Sequence, residues 1–548
     1  MIRRVVLRRF KRFHEETFDF PGNIVLAGPN NTGKSTVLQA IAAWGLAFDR
    51  WKRNNDFNKH GGGFTRVPIT RQTFSAVPLR TFDLLWRDRD YQGLVEVEIQ
   101  TDDWTIPMEL EANSTEQIFV RPNHSVPGPT VRGAELRTVF VPPMTGLSTE
   151  EPVYQPVKIN QLLGQSRPGE VLRNLLVEAA RSETAWPALK DSIHRLFGYA
   201  LLAPNSEGPD IVAEYSHSQN EARFDIASGG SGFQQVLMLV TFLLTRPASV
   251  LLVDEPDAHL HVILQDVIYS ELRSLAVTQR SQLVIATHSE VIIDSVDPRE
   301  LCMMYGRPRM LADTEERSRL MRSLRLLTNT DIVLAQNAPG ILYVEGHTDL
   351  EILRAWARIL DHPANETLTR YMFWKPLVWD LRPQAKGIRA EDHYDSLRLV
   401  RSDLPGLVLM DGDDNPDIPE TPINGQGLQR LRWRRYEIES YLVHPAALAR
   451  YVEKMVGGPE HAAINLQDLH NHFQETYPPA FLRDPHADSP YLVGTKARTL
   501  LLPPALAAGG LPGIPYTRYH EIASVMLPEE IHPEVVEKLD AIRKAFNL

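Results

Sequence analysis

Residues 28–35 read Gly28-Pro29-Asn30-Asn31-Thr32-Gly33-Lys34-Ser35, a spacing that fits the phosphate-binding pattern GxxxxGK[ST]. The apolar run 24–27 before them is typical of a buried strand, and the apolar periodicity over 36–44 predicts a helix. In this setting Lys34 is expected to reach the β- and γ-phosphates of a nucleotide, and Ser35 is expected to hold Mg²⁺. The predicted nucleotide-binding residues of the loop are Asn30, Asn31, Thr32, Gly33, Lys34, Ser35 and Thr36.

A second apolar run carries acidic residues suited to the same ligand. The run 250–253 is typical of a buried strand, and it ends in Asp254-Glu255-Pro256. Ligands bind at the carboxyl ends of strands in open α/β sheets. We therefore expect Asp254 to support Mg²⁺ and Glu255 to polarise the attacking water as a general base.

Two further motifs are weaker on their own. The apolar run 283–286 ends in Thr287-His288-Ser289. Alone, His288 would more often be a structural histidine, but after Lys34 and Glu255 a contact with the γ-phosphate is favoured. Residues 227–235 read Ala-Ser-Gly-Gly-Ser-Gly-Phe-Gln-Gln ahead of an apolar helix, and small residues in that place form an anion-binding nest.

Together these motifs resemble the ABC-type ATPases of the chromosome-maintenance (SMC-like), break-repair and overcoming-lysogenization-defect (OLD) group. The resemblance also includes residues 254–261, which read Asp-Glu-Pro-Asp-Ala-His-Leu-His. In that group two ATPase heads sandwich ATP, which implies that Ser231 and Gly232 of one copy touch the nucleotide of another. The usual Leu-Ser-Gly-Gly is replaced here by Gly-Ser-Gly-Phe at 230–233, so Ser228 stays an alternative to Ser231.

The second half of the chain places carboxylates at predicted strand ends. The run 341–344 ends at Glu345, with Asp349 in the first turn of the next helix, and the run 407–410 ends in Asp411-Gly412-Asp413. Residues i and i+2 of an extended chain point the same way, so both aspartates can face one metal. Taken alone, the aspartate run would more often be a solvated turn. Oxygen ligands of this kind suit Mg²⁺ or Mn²⁺ rather than zinc.

These residues resemble a Toprim domain, a Rossmann-like α/β fold found in OLD nucleases, topoisomerases and primases, and the Glu345/Asp349 pair resembles the OLD variety. The stretch 434–442 resembles the family segment with a later metal-binding glutamate, for which Glu439 is favoured and Glu437 stays open. Lys496, in the turn Gly-Thr-Lys, resembles the family lysine that neutralises charge on the scissile phosphate, although an ordinary exposed lysine is an equal alternative.

The order of an ATPase and then a Toprim domain covers most of the chain and resembles OLD-family nucleases, including the Gabija-type and retron-associated effectors of bacterial antiphage systems. The resemblance implies an ATP-regulated DNA endonuclease or nickase that uses ATP and Mg²⁺ or Mn²⁺ and works as a homodimer or tetramer. The implied metal ligands of its second half are Glu345, Asp349, Asp411, Asp413 and Glu439. The alternatives are a Toprim effector that cleaves RNA such as tRNA, and an ATPase switch whose second half binds a defence-system partner protein or noncoding nucleic acid without cleaving.

Composition limits the other classes of function. The chain has 548 residues, 43% of them hydrophobic and 23% charged, which suits a folded protein of several domain-sized units. Its net charge of −11 excludes nucleic-acid binding through bulk charge, so basic clusters at 3–12, 317–325 and 430–435 are the candidate contacts. For each cluster taken singly, solvated arginines that balance an acidic protein are an equal alternative. Trp433 and Tyr436 interleave the last of these clusters.

The remaining features predict location and domain limits. One cysteine, Cys302, excludes an intrachain disulfide and a thiolate zinc cluster, which fits the cytoplasm. The longest apolar stretch, 236–245, is far shorter than the ~18 residues of a membrane span, so no membrane partner is expected. We predict an ATPase domain over 1–335 and a Toprim domain over 336–548, with 145–220 as an inserted, mostly helical segment for dimerisation or substrate contact.

Overall fold

The computed structural model describes residues 1–548 except 55–56, 61–62, 144–145, 218–221, 259, 380–387, 413–418, 488 and 548. The chain divides into two compact units, Met1–Leu324 and Arg325–Leu548. No helix in the described ranges combines the length and the apolar content that crossing a membrane requires.

The first unit contains strands and helices in alternation. Its strands are β1 (Ile2–Arg8), β2 (Glu15–Asp19), β3 (Ile24–Ala27), β4 (Lys59–His60), β5 (Gly63–Phe64), β6 (Val67–Thr70), β7 (Val95–Thr101), β8 (Thr105–Ser114), β9 (Gln117–Pro122), β10 (Thr138–Val141), β11 (Ala200–Leu201), β12 (Glu214–Ser216), β13 (Phe224–Asp225), β14 (Val250–Asp254), β15 (Gln282–Thr287), β16 (Leu301–Met303) and β17 (Arg309–Met310). Its helices are α1 (Lys34–Arg53), α2 (Gly128–Gly133), α3 (Pro156–Gly164), α4 (Leu172–Ala180), α5 (Ala185–Phe197), α6 (Ser231–Thr245), α7 (Val262–Thr278), α8 (Glu290–Ser295) and α9 (Thr314–Leu326), whose last residues enter the second unit.

Two large sheets enclose the first unit's main core. One has the order β10-β14-β15-β3-β16-β17, in which β10, β14, β15, β3 and β16 run parallel. The other is antiparallel, with the order β2-β1-β7-β8-β9-β6. Helix α1 packs against strands of both sheets, and its apolar residues, including Trp44, are buried there. The strands and the helix predicted around the phosphate-binding loop are thereby confirmed.

The burial of the central strands explains why apolar runs in the sequence predicted these strands correctly. Every residue of β3, β14 and β15 is buried, as expected for parallel strands covered on both faces. Within the segment 145–220, the described residues form α3, α4 and α5, and then β11 and β12 of a small three-stranded sheet. That segment is therefore helical only in its first part.

The second unit is a smaller α/β assembly. Its strands are β18 (Ile341–Val344), β19 (Phe373–Pro376), β20 (Val378–Trp379), β21 (Ile388–Arg389), β22 (Gly406–Met410) and β23 (Leu428–Arg432). Its helices are α10 (Asn329–Asn337), α11 (His347–Ile359), α12 (Ala390–Val400), α13 (Pro445–Val456), α14 (Pro459–Thr476), α15 (Pro479–Arg483), α16 (Pro490–Gly494), α17 (Leu502–Ala508), α18 (His520–Ala523) and α19 (Pro533–Ala545).

A four-stranded parallel sheet of order β19-β18-β22-β23 organises this unit. Because all four strands are parallel, their carboxyl ends lie on one edge. Helix α10, which begins before the predicted boundary at 335/336 and ends after it, packs on α12. Its buried Asp331 pairs with Lys375 of β19 at 2.8 Å. These contacts place α10 inside the second unit.

Candidate functional site

The phosphate-binding loop connects β3 to α1 at the carboxyl edge of the first unit's parallel sheet. Gly33 has φ of 101°, and a Cβ there would lie 2.7 Å from side-chain atoms of Arg12 and Phe13, so only glycine fits. The Lys34 ammonium, 5% exposed, donates to the carbonyl oxygens of Gly28 and Pro29, each at 2.7 Å. It therefore lies inside the curl of the loop, where phosphates are expected.

The loop and the second motif meet through one hydrogen bond. The Ser35 hydroxyl donates to Asp254 Oδ1 at 2.9 Å. Asp254 ends β14 and is buried, and burial raises its pKa to about 6 although the bond from Ser35 opposes the shift. The predicted Mg²⁺ residues of the first unit thus stand together, and Asp254 must be ionised before it can hold a cation.

Glu255 and His288 also come together. Glu255 follows β14 with φ of 49°, and its backbone N–H donates to the Ala286 carbonyl oxygen at 2.9 Å. Its Oε1 lies 3.5 Å from Nδ1 of His288, which follows β15. The His288 contact lowers the pKa of Glu255, and the Glu255 contact raises the pKa of His288. Glu255 is therefore ionised at neutral pH, as a general base requires.

The remaining loop residues and two unpredicted neighbours complete this site. Asn30 and Asn31 are exposed at the tip, Thr32 Oγ1 donates to the Pro29 carbonyl oxygen at 2.9 Å, and Thr36 lies in the first turn of α1. The Arg12 guanidinium donates to the Asn31 carbonyl oxygen. Buried Asp257 accepts from the Thr287 hydroxyl and so ties the second motif to β15. Both residues lie in stretches that the sequence analysis singled out, the basic cluster 3–12 and residues 254–261, but no pattern had assigned either side chain to this site.

Helix α6 begins inside the small-residue stretch 227–235, at Ser231, which is exposed, with Gly232 in the first turn. The Ser228 hydroxyl donates to the Asp225 carbonyl oxygen at 2.6 Å, so it is engaged within its own turn. Asp225 also accepts from the guanidinium of Arg173, which is 1% exposed, at 2.8 Å. Arg173 therefore positions this turn from the side of α4, and no sequence pattern had singled it out.

In the second unit, acidic residues gather at the carboxyl edge of the parallel sheet. Glu345 follows β18, and Asp349 lies in the first turn of α11 at 4% exposure, accepting from the Gly346 N–H at 3.3 Å. Asp411 follows the neighbouring strand β22, is buried, and accepts from the Ile438 N–H at 3.2 Å. The two strand ends thus bring the predicted carboxylates toward one place.

A short 3₁₀ turn, Ile438–Leu442, brings two more carboxylates to this place. Gly412 allows the close approach, because a Cβ there would lie 2.2 Å from the Arg435 carbonyl oxygen. Glu437 and Glu439 are both buried. Glu437 accepts from the backbone N–H of Arg498, and Glu439 Oε1 accepts from Nε of Arg498 at 2.7 Å.

The carboxylates share one electrostatic environment, which we call the acidic cluster (Glu345, Asp349, Asp411, Glu437 and Glu439). Burial and then the negative charges of the other four members raise the pKa of Asp411 to about 10. Burial is also the largest cause that raises the pKa of Asp349 and that of Glu437, each to about 7. For Arg498, burial lowers the pKa, but the charges of the cluster outweigh it and raise the pKa above its ordinary value.

The carboxylate oxygens of the acidic cluster are suitable ligands for a hard cation. Asp349 Oδ1 and Glu439 Oε2 are buried, and no hydrogen-bond donor within the described residues reaches either oxygen. Unpaired carboxylate oxygens of this kind are what Mg²⁺ or Mn²⁺ takes as ligands. As they stand, no three Asp, Glu, His or Cys side chains in the described part of the chain are close enough to hold a metal ion. Asp413, the fifth predicted ligand, lies outside the described residues.

Lys496 is exposed, directly before the π-helical turn Ala497–Leu501 that carries Arg498. Its positive charge is near enough to Glu437 to oppose the rise of that group's pKa, after the larger effects of burial and Arg498. Lys496 therefore stands beside the acidic cluster, on the same short segment as Arg498.

One predicted nucleic-acid surface is wrong in part. Trp433 and Arg435 of the 430–435 cluster are buried, and the Arg435 guanidinium donates to the Pro485 carbonyl oxygen at 3.0 Å. Arg434 pairs with Glu537. The two buried side chains, Trp433 and Arg435, pack inside the second unit and so are not part of the expected basic and aromatic face.

The comparisons with known proteins concern the first unit. A family model described as "AAA domain" matches residues 4–117, and one described as "AAA domain, putative AbiEii toxin, Type IV TA system" matches residues 159–294. No curated protein matches the chain. These matches, with the loop geometry, make the first unit an AAA-type ATPase domain that takes ATP.

Solved structures give only distant likenesses. An Smc head domain with an extended coiled coil, bound to the C-terminal domain of ScpA, from Pyrococcus furiosus is 14% identical, with 59% of this chain and 99% of that chain covered at a TM-score of 0.36. The Smc head domain from Thermotoga maritima is 15% identical, with 55% of this chain and 94% of that chain covered at a TM-score of 0.30.

Proposed function

We propose that the chain is an ATP-regulated nuclease whose second unit cleaves phosphodiester bonds of DNA with the help of divalent cations. The observation that carries this proposal is the acidic cluster, in which carboxylates from two strand ends, a helix and a 3₁₀ turn gather at one edge of a parallel sheet. Asp349 Oδ1 and Glu439 Oε2 support it further, because burying them without a donor is costly unless a cation binds them.

In the second unit, the proposed ligands of Mg²⁺ or Mn²⁺ are Glu345, Asp349, Asp411, Asp413 and Glu439. Cations held by these residues would supply the activation of water and the stabilisation of the leaving oxygen that phosphodiester cleavage requires. Asp411 must release its proton when a cation binds, since its pKa is about 10. Lys496, exposed beside the cluster, is proposed to contact the scissile phosphate.

In the first unit, Lys34 and Ser35 are proposed to hold the phosphates and Mg²⁺ of ATP together with Asp254, to which Ser35 is bonded. Glu255 would take the proton of the attacking water, and His288 would hold Glu255 in place. We propose that Ser231 and Gly232 of a second copy complete this site, so that ATP binding closes a homodimer or a tetramer. The state of the ATPase would then control cleavage.

The description of one matching family model, a toxin of a toxin–antitoxin system, is in line with a role in antiphage defence. It supports that role only through the first unit, because the match ends at residue 294. A defence-system protein or a noncoding nucleic acid is therefore a proposed partner.

Incubation of the full chain with supercoiled plasmid, Mn²⁺ or Mg²⁺, and ATP tests the proposal. We expect nicked and linear products from the wild type, and at least a hundredfold slower cleavage by Asp411→Asn with unchanged ATP hydrolysis. Asp403→Asn is the matched control, because Asp403 is exposed ahead of the other end of β22, and it should cleave normally. Equal cleavage by both variants would contradict the assigned site.

A second candidate is an ATPase switch whose second unit binds a partner without cleaving. The contact between Arg498 and Glu439 favours it, because an arginine already neutralises one predicted ligand. Parallel incubations with plasmid and with total RNA separate the candidates. Loss of RNA alone would identify an RNA nuclease, whereas intact plasmid and intact RNA with normal ATP hydrolysis would identify the switch.

A further inference from the structure

Arg498 is the basic residue that reaches into the acidic cluster. Its Nε donates to Glu439 Oε1 at 2.7 Å, and its terminal nitrogen lies 3.9 Å from Asp349 Oδ1. Its backbone N–H donates to Glu437. One residue thus contacts three of the five carboxylates, by its side chain and by the π-helical turn that carries it.

The Arg498 guanidinium occupies a position that a divalent cation would need in order to bind Glu439. Glu439 is 0% exposed, and its second oxygen has no donor within the described residues. A cation bound to Glu439 would lie about 2 Å from a carboxylate oxygen. The guanidinium sits 2.7 Å from the other oxygen of the same carboxylate, so the two positive groups would repel each other at short range in a buried site.

We infer that Arg498 is a built-in counter-ion of the acidic cluster that competes with the divalent cation for Glu439 and is displaced when the cation binds. The inference rests on the proposed function, since it concerns the same cluster. It explains why the described carboxylates lie at one edge of the sheet but are not close enough together to hold a metal ion. The arginine neutralises part of the negative charge that would attract a cation and bring the carboxylates around it.

Arg498 can leave Glu439 without a rearrangement of the sheet. While it is bonded to Glu439, its guanidinium carbon lies 5.1 Å from the ring centroid of Tyr516, so the ring stabilises the bound position. Arg498 is also only partly buried, so its guanidinium can turn toward solvent without moving the sheet. Rotation of this one side chain then exchanges the arginine for the cation at Glu439.

Calorimetric titration of the full chain with MnCl₂ tests the competition. The binding heat that is lost in Asp411→Asn is assigned to the second unit, which separates it from binding at Asp254. We expect this site to bind Mn²⁺ about tenfold more tightly in Arg498→Gln than in the wild type. Arg434→Gln is the control, because it removes the same charge from an exposed pair with Glu537 and should leave the affinity unchanged.

Each result bears on a different claim. Unchanged or weaker Mn²⁺ binding by Arg498→Gln, in protein whose circular dichroism matches the wild type, overturns the competition and leaves the nuclease proposal standing. Equal binding heats in the wild type and Asp411→Asn overturn the metal site and with it both proposals. If Arg498→Gln does not fold, Arg498→Lys is titrated instead, because a lysine keeps the charge but loses the forked donor geometry. Affinity above the wild type supports the inference, and affinity at or below it overturns the inference.

Discussion

The nucleotide site of the first unit and the acidic cluster of the second unit lie at equivalent edges of parallel sheets, but their charges are arranged differently. In the first, Lys34 and His288 face Asp254 and Glu255 across the strand ends. In the second, the guanidinium of Arg498 faces a cluster of five carboxylates. With Asp257 counted, the first site has two basic groups for three carboxylates and is closer to balance, whereas the second must take up protons or cations to offset its excess negative charge.

The pKa values of Glu255 and Asp411 reflect the same difference in the arrangement of charge. The contact with His288 lowers the pKa of Glu255, so that carboxylate is ready to accept a proton. Burial among like charges raises the pKa of Asp411 to about 10, so that carboxyl keeps its proton at neutral pH. Similar side chains at similar places in a sheet thus suit different chemistry, a general base in one unit and a cation ligand in the other.

The largest expected effect is on the rate of ATP hydrolysis at the nucleotide site of the first unit. Glu255→Gln should lower the ATPase rate by about 10²–10⁴-fold, because the amide cannot accept the proton of the attacking water. ATP binding should persist, since Lys34 and Ser35 are untouched. The measurement is phosphate release with parallel titration of a fluorescent ATP analogue.

Glu207→Gln serves as the matched control for that substitution. Glu207 is exposed and far in sequence from the motifs, so its variant should hydrolyse ATP at the wild-type rate. A Glu255→Gln variant with more than a tenth of the wild-type rate would show that another group acts as the base.

Paired charges also support the turn that precedes α6 in the first unit. Arg173→Ala removes a 1% exposed guanidinium that bonds the Ser148 carbonyl oxygen at 2.6 Å and Asp225 at 2.8 Å. It leaves Glu151, which is fully buried, without its positive neighbour. We expect a loss of about 3–5 kcal/mol in the free energy of unfolding of the first unit, measured by urea denaturation.

Arg181→Ala is the control for this prediction, because Arg181 is exposed just after α4. It should change the unfolding free energy by less than about 0.5 kcal/mol. If the two variants lose the same stability, the buried pairing does not stabilise the first unit as argued.

The sequence could predict the parts of both sites that are contiguous in the chain. The loop at 28–35 and the strand ends at Asp254 and Asp411 follow uninterrupted apolar runs, which parallel buried strands require. The pairing of Arg498 with Glu439 joins residues 59 positions apart through an irregular turn, so no periodicity indicates it. A run of arginines also looks the same in the sequence whether its side chains are exposed or, as for Arg435, buried against carbonyl groups.

The excess charge of the acidic cluster predicts a pH-dependent stability of the second unit. The folded protein holds the Asp411 proton up to a pKa of about 10, whereas an unfolded aspartate releases it near its ordinary pKa of 3.8. The folded state therefore binds more protons between these values, and stability falls as pH rises through that window. Asp411→Asn removes this dependence, because the amide does not titrate.

Thermal unfolding in EDTA at pH 5, 7 and 9 measures this effect. We expect Asp411→Asn to unfold at a temperature higher than the wild type by about 3 °C or more at pH 9, and near the wild type at pH 5. Parallel Tm curves for the two proteins across this range would mean that Asp411 is not held in an uncompensated acidic environment.

The smallest expected effect concerns the part of the nucleotide site that a second copy would supply. Ser231 is exposed at the start of α6, whereas the Ser228 hydroxyl is bonded at 2.6 Å to the Asp225 carbonyl oxygen. Ser231→Ala should therefore slow ATP hydrolysis about tenfold, the cost of one hydrogen bond to a charged phosphate, and Ser228→Ala should stay within about twofold.

Mixing variants shows whether that serine acts on another copy. An equal mixture of Ser231→Ala with inactive Lys34→Ala should recover about a quarter of the wild-type rate, because mixed dimers regain one intact site. A mixture no faster than the average of its two components would mean that each chain completes its own nucleotide site. The nucleotide site would then need no second copy, and the remaining contrast with the acidic cluster would be one of charge alone.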